Sequence, residues 1–227
     1  MHPRITRLEE RLRFEEFISG LSATFVNLPV AEVDGCIDLA LQQVVEILGV
    51  DRSALMQFVG DEQDLLVTHT YNRQGIPALP KIIRLRKSSF PWSNPKILAG
   101  QILCLSSLDE LPPEAKMDRD NMARLHIKAI CIVPLSIGGS IQYVLSVGTV
   151  TEERTWCSEM IARLRLIGEI LINALDRTRR EEELHRTLEE IHHLKEQAEA
   201  ENLYLREVIT SEYGEGEIVG QSPAIQH

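Results

Sequence analysis

Four residues of this sequence could carry chemistry if the fold brought them together: His69, Cys104, His126 and Cys131. Nucleophilic catalysis needs a thiol beside a base, and Cys131 lies close to His126 in the chain. A free cysteine is more often a small buried core residue, and none of the four shows the short spacing of metal ligands. We therefore expect no catalytic residues, no metal site and no enzymatic activity. A haem or non-haem iron site on one sheet face, or an enzyme that uses a cysteine, stays open as an alternative.

A site for nucleotide hydrolysis is not expected either. Gly138-Gly139 joins two β-branched segments, which is typical of a tight hairpin, and no helix follows it as in a phosphate-binding loop. Arg84 and Arg86 alternate with apolar residues, so they share one face of a predicted strand. That face is either solvated or in contact with an anionic effector.

The composition limits the class of protein. The chain has 227 residues, a formal net charge of −10, 44% hydrophobic and 26% charged residues, which is the balance of a globular protein of one or two domains. An acidic chain binds phosphate backbones poorly, and no apolar run approaches the roughly 20 residues of a membrane span. The four scattered cysteines favour a reducing cytoplasm over a disulfide framework. We expect a cytoplasmic protein without direct nucleic-acid or membrane contact.

The first part of the chain has the periodicity of two helices followed by a hairpin. Apolar residues three and four apart predict helices over 4–27 and 31–48, and Gly49 is suited to end the second. Period-two alternation then predicts strands over 51–59 and 64–71, joined by a short turn.

The remaining strands complete one sheet. A third strand is predicted over 81–86 and a brief fourth over 101–105, with short helices in the crossover around it. The strongest pair, 129–137 and 141–149, forms the closing hairpin. Mostly short connections predict an α+β domain, with an antiparallel sheet of about six strands and helices packed on one face.

From Trp156 to Ile209 the pattern is helical, and it narrows to a heptad repeat whose spacings alternate between four and three. Lys195 and Asn202 are polar within it, which weakens pairing and fixes register. Because such a helix needs a partner for its apolar seam, we expect a parallel homodimer through a long C-terminal coiled coil. The predicted seam residues are Leu184, Leu188, Ile191, Lys195, Ala198, Asn202, Leu205 and Ile209.

Several dispersed motifs resemble those of GAF domains, the small-molecule-sensing relatives of PAS domains in bacterial signalling proteins. In chain order they are Gly49-Val50-Asp51-Arg52, Phe90-Pro91-Trp92, Leu108-Asp109-Glu110-Leu111-Pro112, Ile127-Lys128-Ala129, Val133-Pro134-Leu135 and Arg154-Thr155-Trp156. The resemblance implies a GAF/PAS-like sensory domain over 1–175 with a cavity for an effector. It does not identify that effector, and no cofactor is assigned.

The C-terminal stretch from Gly216 to Gln226 resembles the opening of the AAA+ domain of sigma-54-dependent transcriptional activators, the enhancer-binding proteins. The resemblance implies a signalling coiled coil over 176–210, then a linker and the first residues of a truncated AAA+ domain over 211–227. The rest of that domain, absent here, would use ATP and contact sigma-54 RNA polymerase.

The resemblance also directs attention to the lining of the cavity. In a GAF-like fold the crossover covers the cavity, which makes Trp92 a candidate, and strand residues can lie on either face. The complete set of candidate pocket residues is Met56, Phe58, His69, Tyr71, Trp92, Cys104, His126, Cys131 and Tyr143. GAF domains usually carry a glycine where this chain has the stretch around Tyr143, and a tyrosine that points inward would shrink the cavity.

Two functions follow from these observations. The first is a sensory domain that binds a small-molecule effector and signals through the dimeric coiled coil to the AAA+ ATPase, thereby controlling transcription. The second is a ligand-free module for dimerisation and protein interaction, with Tyr143 filling the cavity. A GAF sensor of another signalling protein is the remaining alternative.

Overall fold

The computed structural model describes the following residues: 3–26, 28–61, 63–79 and 84–213. The chain divides into two compact units, one ending at Thr178 and the other beginning at Arg179. The segment 216–226, which resembles the start of an AAA+ domain, lies outside the described residues, as does part of the predicted strand 81–86.

Two helices open the first unit. Helix α1 spans Pro3–Val26 and helix α2 spans Val33–Leu48. Helix α2 ends where the sequence predicts, because Gly49 adopts a left-handed φ of 61° and its N–H donates to the carbonyl of Val45. The apolar face of α2 is buried through Ile37, Leu41, Val44 and Val45.

The described strands form one six-stranded antiparallel sheet in the order β3-β2-β1-β6-β5-β4. Their bounds are β1 Arg52–Val59, β2 Asp64–Asn72, β3 Arg84–Leu85, β4 Leu103–Leu105, β5 Ala129–Ile137 and β6 Ser140–Thr149. The β5–β6 hairpin turns at Gly138 and Gly139, which both have positive φ, as the two-glycine pattern predicts. The expected α+β domain with about six antiparallel strands is confirmed.

One face of the sheet packs against α1, α2 and the beginning of a long helix. That helix, the last of the chain, spans Ser158–Tyr213, and its residues Leu164, Ile167 and Leu171 are buried in the same core as the strand residues facing it. A Cβ added at Gly168 of this helix would lie 2.6 Å from a methyl carbon of Leu135 on β5. The missing side chain at Gly168 therefore sets how closely helix and sheet approach.

The crossover between β3 and β5 covers the opposite face of the sheet. It contains helices α3, Ser93–Leu98, and α4, Lys116–Arg124. The long C-terminal helix, Ser158–Tyr213, is therefore α5. Residues of the crossover and of the sheet share a second apolar core, which includes Phe90, Ile97 and Met122. The sequence predicted helices on one face, and the structure adds this second, thinner layer on the other.

The cysteines depart from the expected pattern. Cys104 on β4 and Cys131 on β5 are direct cross-strand partners, and their sulfur atoms form a disulfide. The expectation of a reducing environment without a disulfide framework did not foresee this pair, because antiparallel register places side by side two residues that are 27 positions apart in the sequence. Cys36 and Cys157 are free.

The second unit is described from Arg179 to Tyr213, and it is helical throughout as part of α5. The apolar seam residues Leu184, Leu188 and Ile191 are exposed in the single chain, and a dimer remains a prediction. Among the described residues, no helix combines the length and apolar character required to cross a bilayer.

Replacing Gly168 with alanine should destabilise the fold by up to about 2.5 kcal/mol, because overpacking of the contact with Leu135 costs about 1–3 kcal/mol and the helix preference of alanine over glycine offsets about 0.5–1 kcal/mol of it. Chemical denaturation monitored by circular dichroism measures the change. The matched control is Gly35→Ala in α2, where nothing lies within 4 Å of the added Cβ. That control should stabilise the helix by about 0.5–1 kcal/mol, and equal effects at both positions would contradict the close approach.

Candidate ligand cavity

A cavity of about 70 Å³ lies in the second apolar layer, between the sheet and the crossover. That volume is far below the roughly 300–1,000 Å³ of a pocket for a drug-sized ligand, and it has room for about five to seven water molecules. Most of its wall is apolar, with Met56, Leu65, Phe90, Ile97, Ile130 and Ile132 among the lining residues. Polar residues reach it as well: Arg52, Ser93, Asn94, Ser146 and Thr149.

Three of the nine candidate pocket residues lie in or beside this layer. Met56 lines the cavity. Phe58 and Trp92 pack against the same apolar core without lining the cavity itself. The Trp92 ring also lies under the ammonium group of Lys96, 4.6 Å from the ring centroid.

His69 and Tyr71 are not pocket residues, because a β-bulge in β2 shifts the side-chain alternation. Before the bulge, Val67 faces the crossover core. After it, His69 places its Nε2 3.2 Å from the carboxylate Oδ1 of Asp34 on α2, and Tyr71 packs against the helix-covered core. The extra residue is Thr68, which has no partner residue on β1. Its hydroxyl donates to the backbone carbonyl of Leu55.

The pocket prediction is also wrong for Cys104, Cys131 and Tyr143, because their side chains face the helices. On β5 the alternation is regular, so Ile130 and Ile132 line the cavity while Cys131 between them belongs to the opposite core. Tyr143 is buried in that opposite core. Its side chain therefore does not fill the cavity, and the ligand-free alternative loses the feature on which it rested.

His126 is exposed and does not line the cavity. It follows the last turn of α4 with a left-handed φ of 60°, which directs the chain from the helix into β5. Its neighbours Leu125 and Ile127 line the cavity instead.

These positions contradict the alternative in which His69, Cys104, His126 and Cys131 converge on one iron or haem site. The four side chains that would have formed it are divided between a disulfide, the α2 side of the sheet and the protein surface. Within the described ranges, no group of three or more His, Cys, Asp or Glu side chains is arranged to hold a metal ion.

Arg52, at the start of β1, is a cavity residue that the sequence analysis quoted only as part of a motif. It is 8% exposed, and its guanidinium donates to the side-chain oxygen of Asn72 at 2.7 Å, the carbonyl of Pro77 at 2.6 Å and the carbonyl of Leu125 at 3.2 Å. Burial lowers the pKa of Arg52, and the nearby charge of Asp51 partly opposes that effect.

These acceptors are all neutral, which leaves the charge of Arg52 without a hydrogen-bonded carboxylate among the described residues. A guanidinium has five N–H groups and remains protonated at neutral pH. Arg52 therefore joins the segments after β2 and α4, and it also gives the cavity a positive charge.

Asn94 is a second cavity residue that the sequence analysis missed. It is 1% exposed, and its side-chain Nδ2 has no hydrogen-bond acceptor in the described part of the chain. A buried amide donor without a partner costs about 1–3 kcal/mol. The sequence carries no signal for it, since Asn94 lies in an irregular crossover without periodicity.

Asp118 of α4 holds the segment that presents Asn94. Its carboxylate accepts hydrogen bonds from the backbone N–H of Trp92 at 3.2 Å, the N–H of Ser93 at 2.9 Å and the hydroxyl of Ser93 at 2.6 Å. All three bonds are made by the two residues that precede Asn94. The start of α3 is thus fixed, and Asn94 faces the cavity because of it.

Asp51 holds the other end of the cavity wall. Its carboxylate accepts from the N–H of Val150 at 2.9 Å and from the hydroxyl of Thr151 at 2.8 Å, and it pairs with Arg73 at 3.1 Å. Burial alone would raise the pKa of Asp51, but these hydrogen bonds and the charge of Arg73 lower it below its ordinary value. The chain after β6, including the cavity residue Val150, is fixed by this carboxylate.

Replacing Asp51 with asparagine should lower the free energy of unfolding by about 1–3 kcal/mol at pH 7, because an amide group would face buried N–H donors. The folded-state pKa of Asp51 is lowered, so its stabilisation is complete above the unfolded-state pKa of about 3.9 and is lost as the pH falls further. Urea denaturation of both proteins between pH 7 and pH 3 tests this. A difference that stays constant with pH would show that the charge is not responsible.

Solved structures with a similar fold include GAF domains. The blue-light absorbing form of the Thermosynechococcus elongatus PixJ GAF domain has a TM-score of 0.57 and 18% identity, over 74% of this chain and 98% of that one. The phycoerythrobilin-bound GAF domain of a cyanobacterial phytochrome has a TM-score of 0.63 and 14% identity, over 74% and 97%. The chromophore-binding domain of the R. palustris bacteriophytochrome RpBphP3 has a TM-score of 0.64 and 14% identity, over 76% and 63%.

These comparisons establish the fold, and at such identities they do not carry a ligand across. No family model matches the chain, and no curated protein matches it. The chain has the GAF fold that its dispersed motifs predict, and the prediction of that fold is confirmed.

Proposed function

We propose that this chain is the sensory region of a sigma-54-dependent transcriptional activator. In this proposal the first unit binds a small-molecule effector in its cavity, and α5 pairs two copies of the chain. The AAA+ domain that begins in 211–227 uses ATP and contacts sigma-54 RNA polymerase. The observation that supports sensing is the cavity itself, which combines apolar walls with the buried polar groups of Arg52 and Asn94.

The effector in this proposal is much smaller than the chromophores of the solved neighbours. One of those neighbours holds phycoerythrobilin in its GAF domain. The cavity of about 70 Å³ here lies well below the volume that larger organic ligands occupy. A metabolite of a few heavy atoms fits the site as it stands.

The homodimer in this proposal is supported by the apolar seam of the second unit. Leu184, Leu188 and Ile191 are each more than half exposed in the single chain, and burial of a leucine side chain is worth about 1.5–3 kcal/mol. The i,i+4 pairs His185–Glu189 and Lys195–Glu199 lie within this helix, where such pairs stabilise the helix itself.

The chain is not an enzyme in this proposal, and it acts in the cytoplasm without contacting nucleic acid or membrane itself. The acidic net charge of −10 supports the absence of direct nucleic-acid contact, because contacts with phosphate groups depend on lysine and arginine. Transcriptional control would be exerted by the AAA+ domain.

Replacing Leu188 with glutamate should weaken dimerisation at least about 100-fold, because each of the two seam leucines loses about 1.5–3 kcal/mol of burial. Sedimentation equilibrium of the full chain measures the dissociation constant. Leu203→Glu is the matched control, since Leu203 is 61% exposed against 55% for Leu188 and lies outside the predicted seam. A monomeric wild type, or equal effects of the two substitutions, would contradict the coiled-coil dimer.

Substitution of the cavity residue Ser146 tests the proposed binding of an effector. Native mass spectra are recorded with a library of anionic, neutral and cationic compounds of about seven heavy atoms or fewer. We expect at least one compound to bind the wild type and to be lost in Ser146→Leu, whose larger side chain fills the cavity. The control Ser140→Leu changes an exposed residue and should retain binding. No binder in any charge class would contradict sensing and favour the module for dimerisation alone.

A further inference from the structure

The effector's chemical class follows from the polar groups that reach the cavity. We propose that the effector is a small carboxylate with a short hydrocarbon body, whose carboxylate oxygens accept hydrogen bonds from Asn94 and face the guanidinium of Arg52. This inference rests on the sensory function proposed above and adds the kind of molecule that is sensed.

The first argument is the unsatisfied donor of Asn94. Asn94 lines the cavity, its Nδ2 is buried, and no acceptor for that atom exists among the described residues. Buried amide groups in folded proteins almost always have partners. An oxygen acceptor supplied by the ligand would remove this deficit, whereas a purely apolar ligand would leave it in place.

The second argument is the charge of Arg52. The nearest carboxylate in sequence, Asp51, is committed to Arg73, Val150 and Thr151. The three acceptors of Arg52 are neutral oxygens of Asn72, Pro77 and Leu125. A buried cation that lacks an anionic hydrogen-bond partner favours an anionic ligand and disfavours a cationic one.

The third argument is the size and polarity of the remaining wall. Beyond Arg52 and Asn94 the wall consists largely of aliphatic and aromatic side chains such as Met56, Phe90 and Ile132. Of its three hydroxyl groups, those of Ser93 and Thr149 already donate to Asp118 and to the carbonyl of Glu152, which leaves Ser146. The cavity of about 70 Å³ has room for about five to seven heavy atoms of water size. A polyanion or a sugar would bring more polar groups than this wall can satisfy, and a short aliphatic acid matches it.

The test compares acids with neutral and cationic compounds of the same shape. Isothermal titration calorimetry of the full chain, at constant ionic strength, uses acetate, propionate and butyrate against 1-propanol, propionamide and propylamine. The best ligands of this size gain at most about 1.5 kcal/mol per heavy atom, so dissociation constants between about 10 μM and 1 mM are expected for the acids. Binding of the other compounds should be at least about ten-fold weaker.

Two substitutions of Asn94 assign the contact. Asn94→Asp replaces the donor by a negative charge, and Asn94→Leu removes the donor while filling a similar volume. Both should weaken propionate binding at least about ten-fold, the loss expected when a hydrogen bond to a charged group is removed. Asn173→Asp on the exposed side of α5 is the control for charge and should leave binding unchanged. Thermal unfolding confirms that each variant is folded, and the leucine variant serves if the aspartate variant is not.

The outcomes separate this inference from the sensory function. If 1-propanol or propionamide binds as tightly as propionate, or if both Asn94 variants keep the wild-type affinity, the carboxylate assignment is overturned while the cavity remains a ligand site. The carboxylate assignment is also overturned, and the cavity remains a ligand site, if the acids do not bind but another class of compound from the library binds the wild type and not the Ser146→Leu variant. If nothing binds in either experiment, both proposals are overturned.

Discussion

Burial of the central strands on both faces is the constraint on which the rest of this structure depends. Along β5, Ile130 and Ile132 face the cavity while Cys131 and Val133 face the helices. Successive side chains of a strand point to opposite faces of the sheet, so β5 contributes neighbouring residues to both apolar layers. A movement of β5 that widens the cavity must also change the surface against which α5 packs through contacts such as Leu135 with Gly168.

Buried charged side chains hold the segments around the cavity. Asp51, Arg52 and Asp118 are each less than 10% exposed, and each binds groups in loops or at helix ends, namely Val150, Pro77 and Ser93. Arg52 also binds Asn72 at the end of β2. Charge-assisted hydrogen bonds of this kind are stronger and more directional than apolar contacts. Asp51 and Asp118 have their bonding capacity used inside the protein, whereas Arg52 keeps a net charge at the cavity.

The parts of the fold that follow from local periodicity were predictable, and those that depend on register were not. The Gly49 helix end, the Gly138-Gly139 turn and the continuous α5 each have a short-range cause, and the structure has all three. The bulge at Thr68 reverses the orientation of His69 and Tyr71, and no feature of composition or alternation marks it. Among the pocket candidates, Met56 lines the cavity, but Arg52 and Asn94 emerge only once distant segments are brought together.

Size limits how strongly a ligand in this cavity can act on α5. A molecule of about five heavy atoms can gain at most about 7.5 kcal/mol on binding, and reversing a 1:99 equilibrium between two conformations requires about 5.5 kcal/mol of differential affinity. A small effector can meet that demand only if the two conformations already lie within a few kcal/mol of each other. The polar residues Lys195 and Asn202 in the predicted seam reduce the stability of helix pairing. So small a ligand therefore needs a seam that pairs weakly. A fully apolar seam would stabilise one packing of the helices too strongly for any effector that fits the cavity to reverse it.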